Sequence, residues 1–504
     1  MKLSVLPFLF ILLVLLSAVS TSKADNGYFD FSPRAKNAYE NVMHLRFDDA
    51  NGVMTEMRTA EPDNLMVYYI ENLEESLSVF ISESKTGYDN LSFNLKNRIK
   101  AIEKGDKQSP YFLFARAQMR LLHALNSLKF SSKLGMLGAL DEVSTAYGEL
   151  ETNTKKFPDF MPDKMSLGAL HALVGAVPDN YRGMFKFVSG MNGTIAQGQS
   201  ELESVINYAK TNDFVFEQET LVIYAFLILQ LNNDNDHAWA VVNSGKLNPK
   251  DNPLACFAMA NVAMRTGRND KAIEFLQNRP TGKDFFSMPY LDFMLGSAKL
   301  YRGDPDAKMF LQRFLDNFKG RDNIKTAHQR LAWLSLLYGD VIGYTAQMEK
   351  CKTTGRAEGG NDKNALKEGK SAVVPDGTLL AGRLLFDGGY YMKAEEIMMQ
   401  KKENQFSAPE QKLEWSYRLG RILQMLKRYS EAIGYYDKTI KDGHDSRTYF
   451  PCNAALQLGL IYETLNNKAK AREFYTYCLS LNPDDHADAL HTKAKSGLGR
   501  VKGK

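Results

Sequence analysis

Between Leu413 and Pro483 the chain passes twice through one pattern, and that pattern leaves few folds open. The first pass reads Leu419-Gly420-x-x-Leu423, then Tyr429, Ala432 and Tyr436; the second reads Leu458-Gly459-x-x-Tyr462, then Ala471, Tyr475 and Pro483. In both, twelve positions separate the glycine from the alanine and four more lead to the tyrosine. From Leu413 to Met425 apolar side chains recur three and four apart, which is the spacing of one helix face. Gly420 and Ala432 remove bulk where two helices must pass closest, and large side chains fill the gaps beside them. A glycine inside a helix costs about 0.5–1 kcal/mol against alanine. Close packing along the helix offsets this, because packing rather than propensity stabilises most protein helices. One such pair cannot bury its apolar face alone, so about three stacked pairs are the minimum.

The pattern resembles the tetratricopeptide repeat, a helix, a short turn and a second helix, and the resemblance implies a module that holds partners and rarely does chemistry. Further copies are present. Phe226 and Ala238 take the glycine and alanine slots, and Ala260 and Ala272 take them again 34 residues on, the template period. Gly296 and Ala332 follow at 36-residue steps, and Gly382, Tyr391 and Ala394 restart the pattern. A degenerate copy opens at the helix-start pair Ser32-Pro33, with Ala38, Phe47, Ala50, Met54 and Pro62 at the template offsets. No alternating strand pattern bounded by hairpin turns occurs. The expected fold is therefore an all-α helix-turn-helix repeat solenoid, a tetratricopeptide-like superhelix. Its expected divisions are a signal peptide over 1–24, an N-terminal helical region with an apolar hairpin over 25–198, and degenerate repeats over 199–351. A flexible loop over 352–375 follows, then repeats over 376–483 and a capping helix with a basic tail over 484–504.

The stretch from Phe157 to Gly198 departs from repeat character. It reads Leu167-Gly168-Ala169-Leu170, Pro178, Met184-Phe185-Lys186-Phe187-Val188, then Gly190 through Gly193. In these features the chain resembles the tetratricopeptide repeat protein 39-like group, which includes the yeast inclusion-body-clearance proteins. That resemblance implies an all-helical repeat protein with no established enzymatic site. The apolar Met165–Val188 region is read as buried between repeats, with a membrane-touching hairpin as the alternative.

Lys2, the apolar run Leu3 to Val19 and Ser22-Lys23-Ala24 follow the order of a secretory signal with cleavage after Ala24. An uncleaved anchor is the alternative, and the run is short for it. The formal charge of +4 includes Lys2 and Lys23, and residues 1–24 hold no acid, so the chain after Ala24 carries +2. So small an excess gives no reason to expect nucleic acid as the partner. The four cysteines do not make a disulfide framework in so long a chain. Cys452 opens one helix and Cys478 closes its antiparallel neighbour, so an oxidised pair and two buried free thiols both stand open.

No motif carries catalysis. Gly369-Lys370-Ser371 lacks the earlier glycine of a phosphate loop, because Asn364 stands there, and no strand precedes it. The cluster Asp484, Asp485, His486, Asp488 and His491 puts its histidines off a common helix face, and no GxSxG or HExxH spacing occurs. Neither a metal nor a cofactor is expected. Projecting the repeat template onto first helices places Arg383, Phe386, Tyr417, Arg421, Gln424, Asn453 and Glu463 along the concave face. Arginine and tyrosine are favoured at binding hot spots and suit an acidic or extended peptide. The expected function is an exported, non-catalytic scaffold for a protein or peptide partner, in the periplasm of a Gram-negative cell or secreted, serving envelope assembly. A surface glycan- or nutrient-binding protein is the second reading. It is weaker, because glycan platforms want exposed aromatics and the chain has only Trp239, Trp333 and Trp415. A hydrolase using the 157–198 region is a third, and it lacks a nucleophile arrangement.

Overall fold

The computed structural model describes residues 27–130, 133–177, 189–232, 234–371 and 373–501. The signal-like segment and residues 178–188, with the Met184–Val188 stretch, lie outside them. Among the described residues the chain forms 24 α-helices and no strand. It divides into two compact units, Met1–Val42 with Asp48–Ser76 and Asp89–Phe160, and Met43–Phe47 with Leu77–Tyr88 and Met161–Lys504.

Six helices build most of the first unit: α1 (Pro33–Met43), α2 (Phe47–Ala60), α3 (Met66–Ser82), α4 (Lys85–Ile102), α5 (Pro110–Phe130) and α6 (Lys133–Lys156). Its core gathers Phe29, Phe31, Tyr69, Phe112 and Phe114, all buried, with Phe29 edge-on to Phe112, Phe31 edge-on to Tyr69 and Tyr69 tilted against Phe114. The degenerate repeat read at residues 33–62 corresponds to α1 and α2, and its Ala38 and Ala50 are fully buried.

The second unit begins with α7 (Met161–Gly175), α8 (Ile195–Ala209), α9 (Glu217–Leu227), α10 (Asn235–Val242), α11 (Pro253–Arg265) and α12 (Asn269–Gln277). It continues with α13 (Tyr290–Arg302), α14 (Ala307–Asn317), α15 (Ile324–Leu337), α16 (Val341–Thr353), α17 (Gly360–Lys370), α18 (Gly377–Asp387) and α19 (Tyr391–Met399). It ends with α20 (Pro409–Met425), α21 (Tyr429–Asp442), α22 (Tyr449–Thr464), α23 (Lys468–Ser480) and α24 (Ala487–Val501). The helices of this unit pack against their neighbours in chain order, first helix against second. The template residues explain the pairing. Ala238, Ala260, Ala272, Ala332, Ala394, Ala432 and Ala471 are all fully buried. A methyl group at Gly420 would stand 2.7 Å from the Tyr436 ring, and one at Gly459 would stand 2.4 Å from the Tyr475 ring. Gly382 meets Met398 in the same way. Gly382, Gly420 and Gly459 are thus each a seat for the large side chain sixteen positions later, while Gly296 seats Leu311.

Both tyrosines are completely buried, so their hydroxyls need partners. Tyr436 donates to the Gln424 side chain at 2.6 Å, and Tyr475 donates to Glu463. In each case the acceptor lies four residues after the slot glycine. Cys452 and Cys478 are free thiols between α22 and α23, buried, with their sulfurs 3.6 Å apart.

The segment 352–375 corrects the expectation of a continuous flexible loop, since it contains the eleven-residue helix α17. Its polar residues make tertiary bonds. The buried Asp362 carboxylate accepts from the backbone N–H of Asn323 at 2.6 Å and of Thr326 at 2.8 Å, and from the Thr326 hydroxyl at 2.7 Å. These donors sit at the start of α15, where free N–H groups and the helix dipole favour a carboxylate. In return, the Lys325 ammonium donates to the carbonyls of Cys351, Lys352 and Thr354 at 2.8–3.0 Å, closing the C-terminal end of α16. The C-terminal helix α24 reaches Val501, so Arg500, expected in a basic tail, is helical and pairs with Glu463.

Gly459→Ala forces the methyl into the Tyr475 ring, which is held from the other side by Gly497. Overpacking of this kind costs about 1–3 kcal/mol. Urea unfolding of the C-terminal repeats should show a lower midpoint, with an unfolding free energy reduced by that amount. An unchanged or higher midpoint means that helix propensity outweighs the seat.

Candidate functional site

Two cavities of about 500 and 380 Å³ open on the first helices of the second unit. They share a wall made of Phe386 and Asp387 from α18 and Arg421 from α20. The larger cavity reaches back to α11, α13 and α15 through Arg265, Ser297 and Arg330. The smaller reaches forward to α22 and α24 through Asn453 and Lys493. What brings the early and late helices to one cavity is a contact between two turns. Gly389 has φ +81°, and a side chain on it would stand 2.2 Å from the Gly267 carbonyl oxygen. Tyr390 fixes the approach: its hydroxyl accepts from Asn269 at 3.1 Å and donates to Asp270 at 2.7 Å.

The lining is strongly cationic. Arg265, Arg330, Arg383, Arg418, Arg421 and Lys493 face the two cavities against a single carboxylate, Asp387. Three of these arginines are held by aromatic rings. Arg330 lies 4.2 Å from the Phe293 ring centre, Arg383 4.3 Å from that of Trp333, and Arg421 5.0 Å from that of Phe386. Stacking fixes a guanidinium plane and leaves its N–H edge free to donate. Nε of Arg330, Nη2 of Arg383 and Nε of Arg421 are buried with no acceptor among the described residues. Arg418 is the exception, paired to Glu414 one turn back on α20.

Tyr417 is the polar hub of the smaller cavity. Its hydroxyl accepts from Arg421 Nη1 at 3.2 Å and from Asn453 Nδ2 at 2.7 Å, and Asn453 accepts from Gln457 at 2.9 Å. Burial pushes the neighbouring Tyr449 phenol up to about 12, so it remains a neutral donor. Desolvation opposes the Arg421 charge, and the Tyr417 and Tyr436 hydroxyls together with Asp387 more than offset it. Asp387 behaves differently. The residue is exposed and lines both cavities. Desolvation pushes its carboxyl above the ordinary carboxylate range, against the pull of Arg383, Arg418, Arg421 and Arg330.

The comparisons with known proteins bear on the same helices. The tetratricopeptide repeat family model matches residues 453–485, which span α22 and α23. That segment is a tetratricopeptide repeat. The stacked helix pairs before it make the described part of the chain an all-α helical repeat solenoid. Among solved structures, the tetratricopeptide repeat domain of P58(IPK) is similar at 15% identity and TM-score 0.21, covering 86% of this chain and 99% of that one. A monomeric mutant of IFIT1 bound to a capped RNA is similar at 12% identity and TM-score 0.28, covering 88% and 80%. No curated protein sequence matches the chain.

Of the residues projected from the repeat template, Arg383, Phe386, Tyr417, Arg421 and Asn453 line the smaller cavity together. Gln424 and Glu463 are not among its lining residues; they accept from the buried tyrosines of their own repeats. The projection missed Asp387, Arg330 and the earlier half of the groove. A signal for that half existed. Arg383 and Arg421 directly follow their slot glycines, and the residues that directly follow slots 260 and 296 are Asn261 and Ser297, both lining the larger cavity.

Tyr417→Phe leaves the Arg421 and Asn453 donors without their shared acceptor. A buried donor deprived of its partner costs about 1–3 kcal/mol. Chemical denaturation followed by far-ultraviolet circular dichroism should register a loss in that range, and an unperturbed midpoint removes the hub role from Tyr417.

Proposed function

We propose that this chain is an exported scaffold whose groove over α18, α20 and α22 holds an anionic, extended segment of a protein partner in the cell envelope, with the periplasm as its place of work. The observation that carries the reading is the cationic lining of the two cavities, in which Arg330, Arg383 and Arg421 each keep a buried guanidinium N–H without an acceptor among the described residues. Each unmet buried donor is a standing cost. A carboxylate or carbonyl from a bound segment removes that cost and gains charge-assisted hydrogen bonds. Protein binding is the general role of tetratricopeptide repeats. Export is supported by the Lys2, Leu3–Val19 and Ala24 pattern of the sequence. No helix among the described residues is long and apolar enough to cross a membrane. The tryptophans are engaged within the chain: Trp415 is buried and donates to the Met398 carbonyl, Trp333 donates to Glu368 beneath Arg383, and Trp239 stacks on Phe275.

Affinity capture with the chain from Asp25 onward, after mild crosslinking of the native envelope fraction, tests this directly. Wild type should recover one stoichiometric protein. Arg383→Gln with Arg421→Gln should cut recovery at least about tenfold, since arginine hot spots each carry about 2 kcal/mol or more. Raising salt should weaken capture as well, because exposed charge is screened within about 8–10 Å at physiological ionic strength. Equal recovery by the double variant, with its helical signal intact, contradicts the placement of the site.

A further inference from the structure

Cys452 and Cys478 take no part in the groove, yet they are placed as a pair. Cys452 stands in the first turn of α22 and Cys478 in the last turn of α23, 26 positions later. Their sulfurs lie 3.6 Å apart, and the Cys452 sulfur also points at the Cys478 carbonyl, at 3.5 Å. At 1% and 0% exposure the two are shut into a core with Ala455, Ala471 and Tyr475 and, from α24, Leu490 and Ala494. The other two cysteines meet no second sulfur among the described residues. Cys256 is directed at the Phe275 carbonyl, and Cys351 lies in the core shared by α15, α16 and α17.

Burial alone explains a single cysteine, but not two sulfurs in contact. A thiol is a weak donor and a weak acceptor, so the pair gains little by remaining two thiols. A disulfide needs its sulfurs about 2 Å apart, a closure of about 1.5 Å from the observed contact. We propose that Cys452 and Cys478 are a disulfide site, and that the bond closes as α23 docks on α22 and fastens the forward end of the groove. Asn453 directly follows Cys452, and its side chain donates to the Tyr417 hydroxyl at 2.7 Å. Lys493 lines the smaller cavity from α24, which packs on the core that holds the two sulfurs. The inference goes beyond partner binding and needs neither a partner nor export; an exported chain simply meets the oxidising surroundings in which such bonds persist.

Buried cysteines are inert, so the chemistry belongs to folding, before the sulfurs are covered. The thiolate of one cysteine attacks the disulfide of a small molecule or an oxidoreductase, forming a mixed disulfide and releasing one thiolate. The thiolate of the second cysteine then attacks the first cysteine's sulfur, forming the Cys452–Cys478 bond and releasing the other thiolate. The oxidant's disulfide accepts the two electrons, and its two sulfurs take up the two protons that the cysteines lose. Closing a loop of this length restricts the unfolded chain, and the folded repeat gains by the difference.

The test is refolding with glutathione as the redox couple. The chain from Asp25 onward, reduced and unfolded in urea with dithiothreitol, is refolded in mixed reduced and oxidised glutathione. It is then quenched with acid, unfolded, alkylated and digested for mass spectrometry. The Cys452 and Cys478 peptides should appear linked, with Cys256 and Cys351 alkylated. Synthesis in a cell-free translation mixture containing oxidised glutathione gives the same readout where the chain does not refold from urea. In urea unfolding, the oxidised chain should show a folding constant for the last repeat roughly thirtyfold or more above that of the reduced chain. Cys452→Ala with Cys478→Ala should lose that difference. Alkylation of both Cys452 and Cys478, or glutathione left on either, in a chain with its full helical signal overturns the disulfide. Equal unfolding of the linked and reduced chains overturns the fastening role. Both readouts come from the isolated chain, so a failed partner capture does not alter them.

Discussion

The Tyr475 ring is seated between Gly459 of α22 and Gly497 of α24, with so little room that a methyl at either glycine would stand 2.4 Å from a ring carbon. The same seat recurs one repeat earlier, with Tyr436 on Gly420. A ring pressed on a glycine fixes how close two helices come and how each is rotated about its axis. That rotation decides which residues of the first helix point away from the partner. Arg383 and Arg421 stand next to Gly382 and Gly420 in sequence, and both line the cavities. The groove is thus a consequence of the packing device, because the residues beside the seat cannot also face it.

The seats were legible in the sequence because glycine, alanine and tyrosine keep fixed offsets within one helix pair, where geometry is local. Five projected residues converge on one cavity for the same reason. Gln424 and Glu463 are drawn elsewhere by a local need, the hydroxyl of a buried tyrosine. The α17 helix was hidden by composition. Asp362, Asn364 and Gly369 look like loop residues, and only the approach of α15, with its free N–H groups at Asn323 and Thr326, gives Asp362 a structural partner. The larger cavity was hidden by distance. It depends on Gly389 meeting Gly267 across 122 positions, a contact that no periodicity announces.

Net charge concealed the groove as well. The sequence is close to neutral, with 63 basic and 59 acidic residues, and that balance argues against an electrostatic partner when read as a total. Partition by surface reverses the conclusion, because one carboxylate faces six cations in the two cavities. Some acids elsewhere pair locally. Glu395 and Glu431 both hold Arg428, and Asp304 and Asp270 both hold Arg302. Where the first helices converge, aromatic rings rather than acids lie against Arg330, Arg383 and Arg421. Rings preserve the full positive charge and the donor edges, which a salt bridge within the chain would consume.

The central claim is that a partner lies in this groove, and site-specific photocrosslinking addresses it most directly. A photoreactive benzoylphenylalanine in place of Phe386, which lines both cavities, should form a covalent adduct with the partner in the native envelope fraction. The same probe in place of Met392, 76% exposed and absent from both cavity linings, should form none. Adducts from position 392 without any from position 386 would contradict the account, because the partner would then be held by another surface of the repeats.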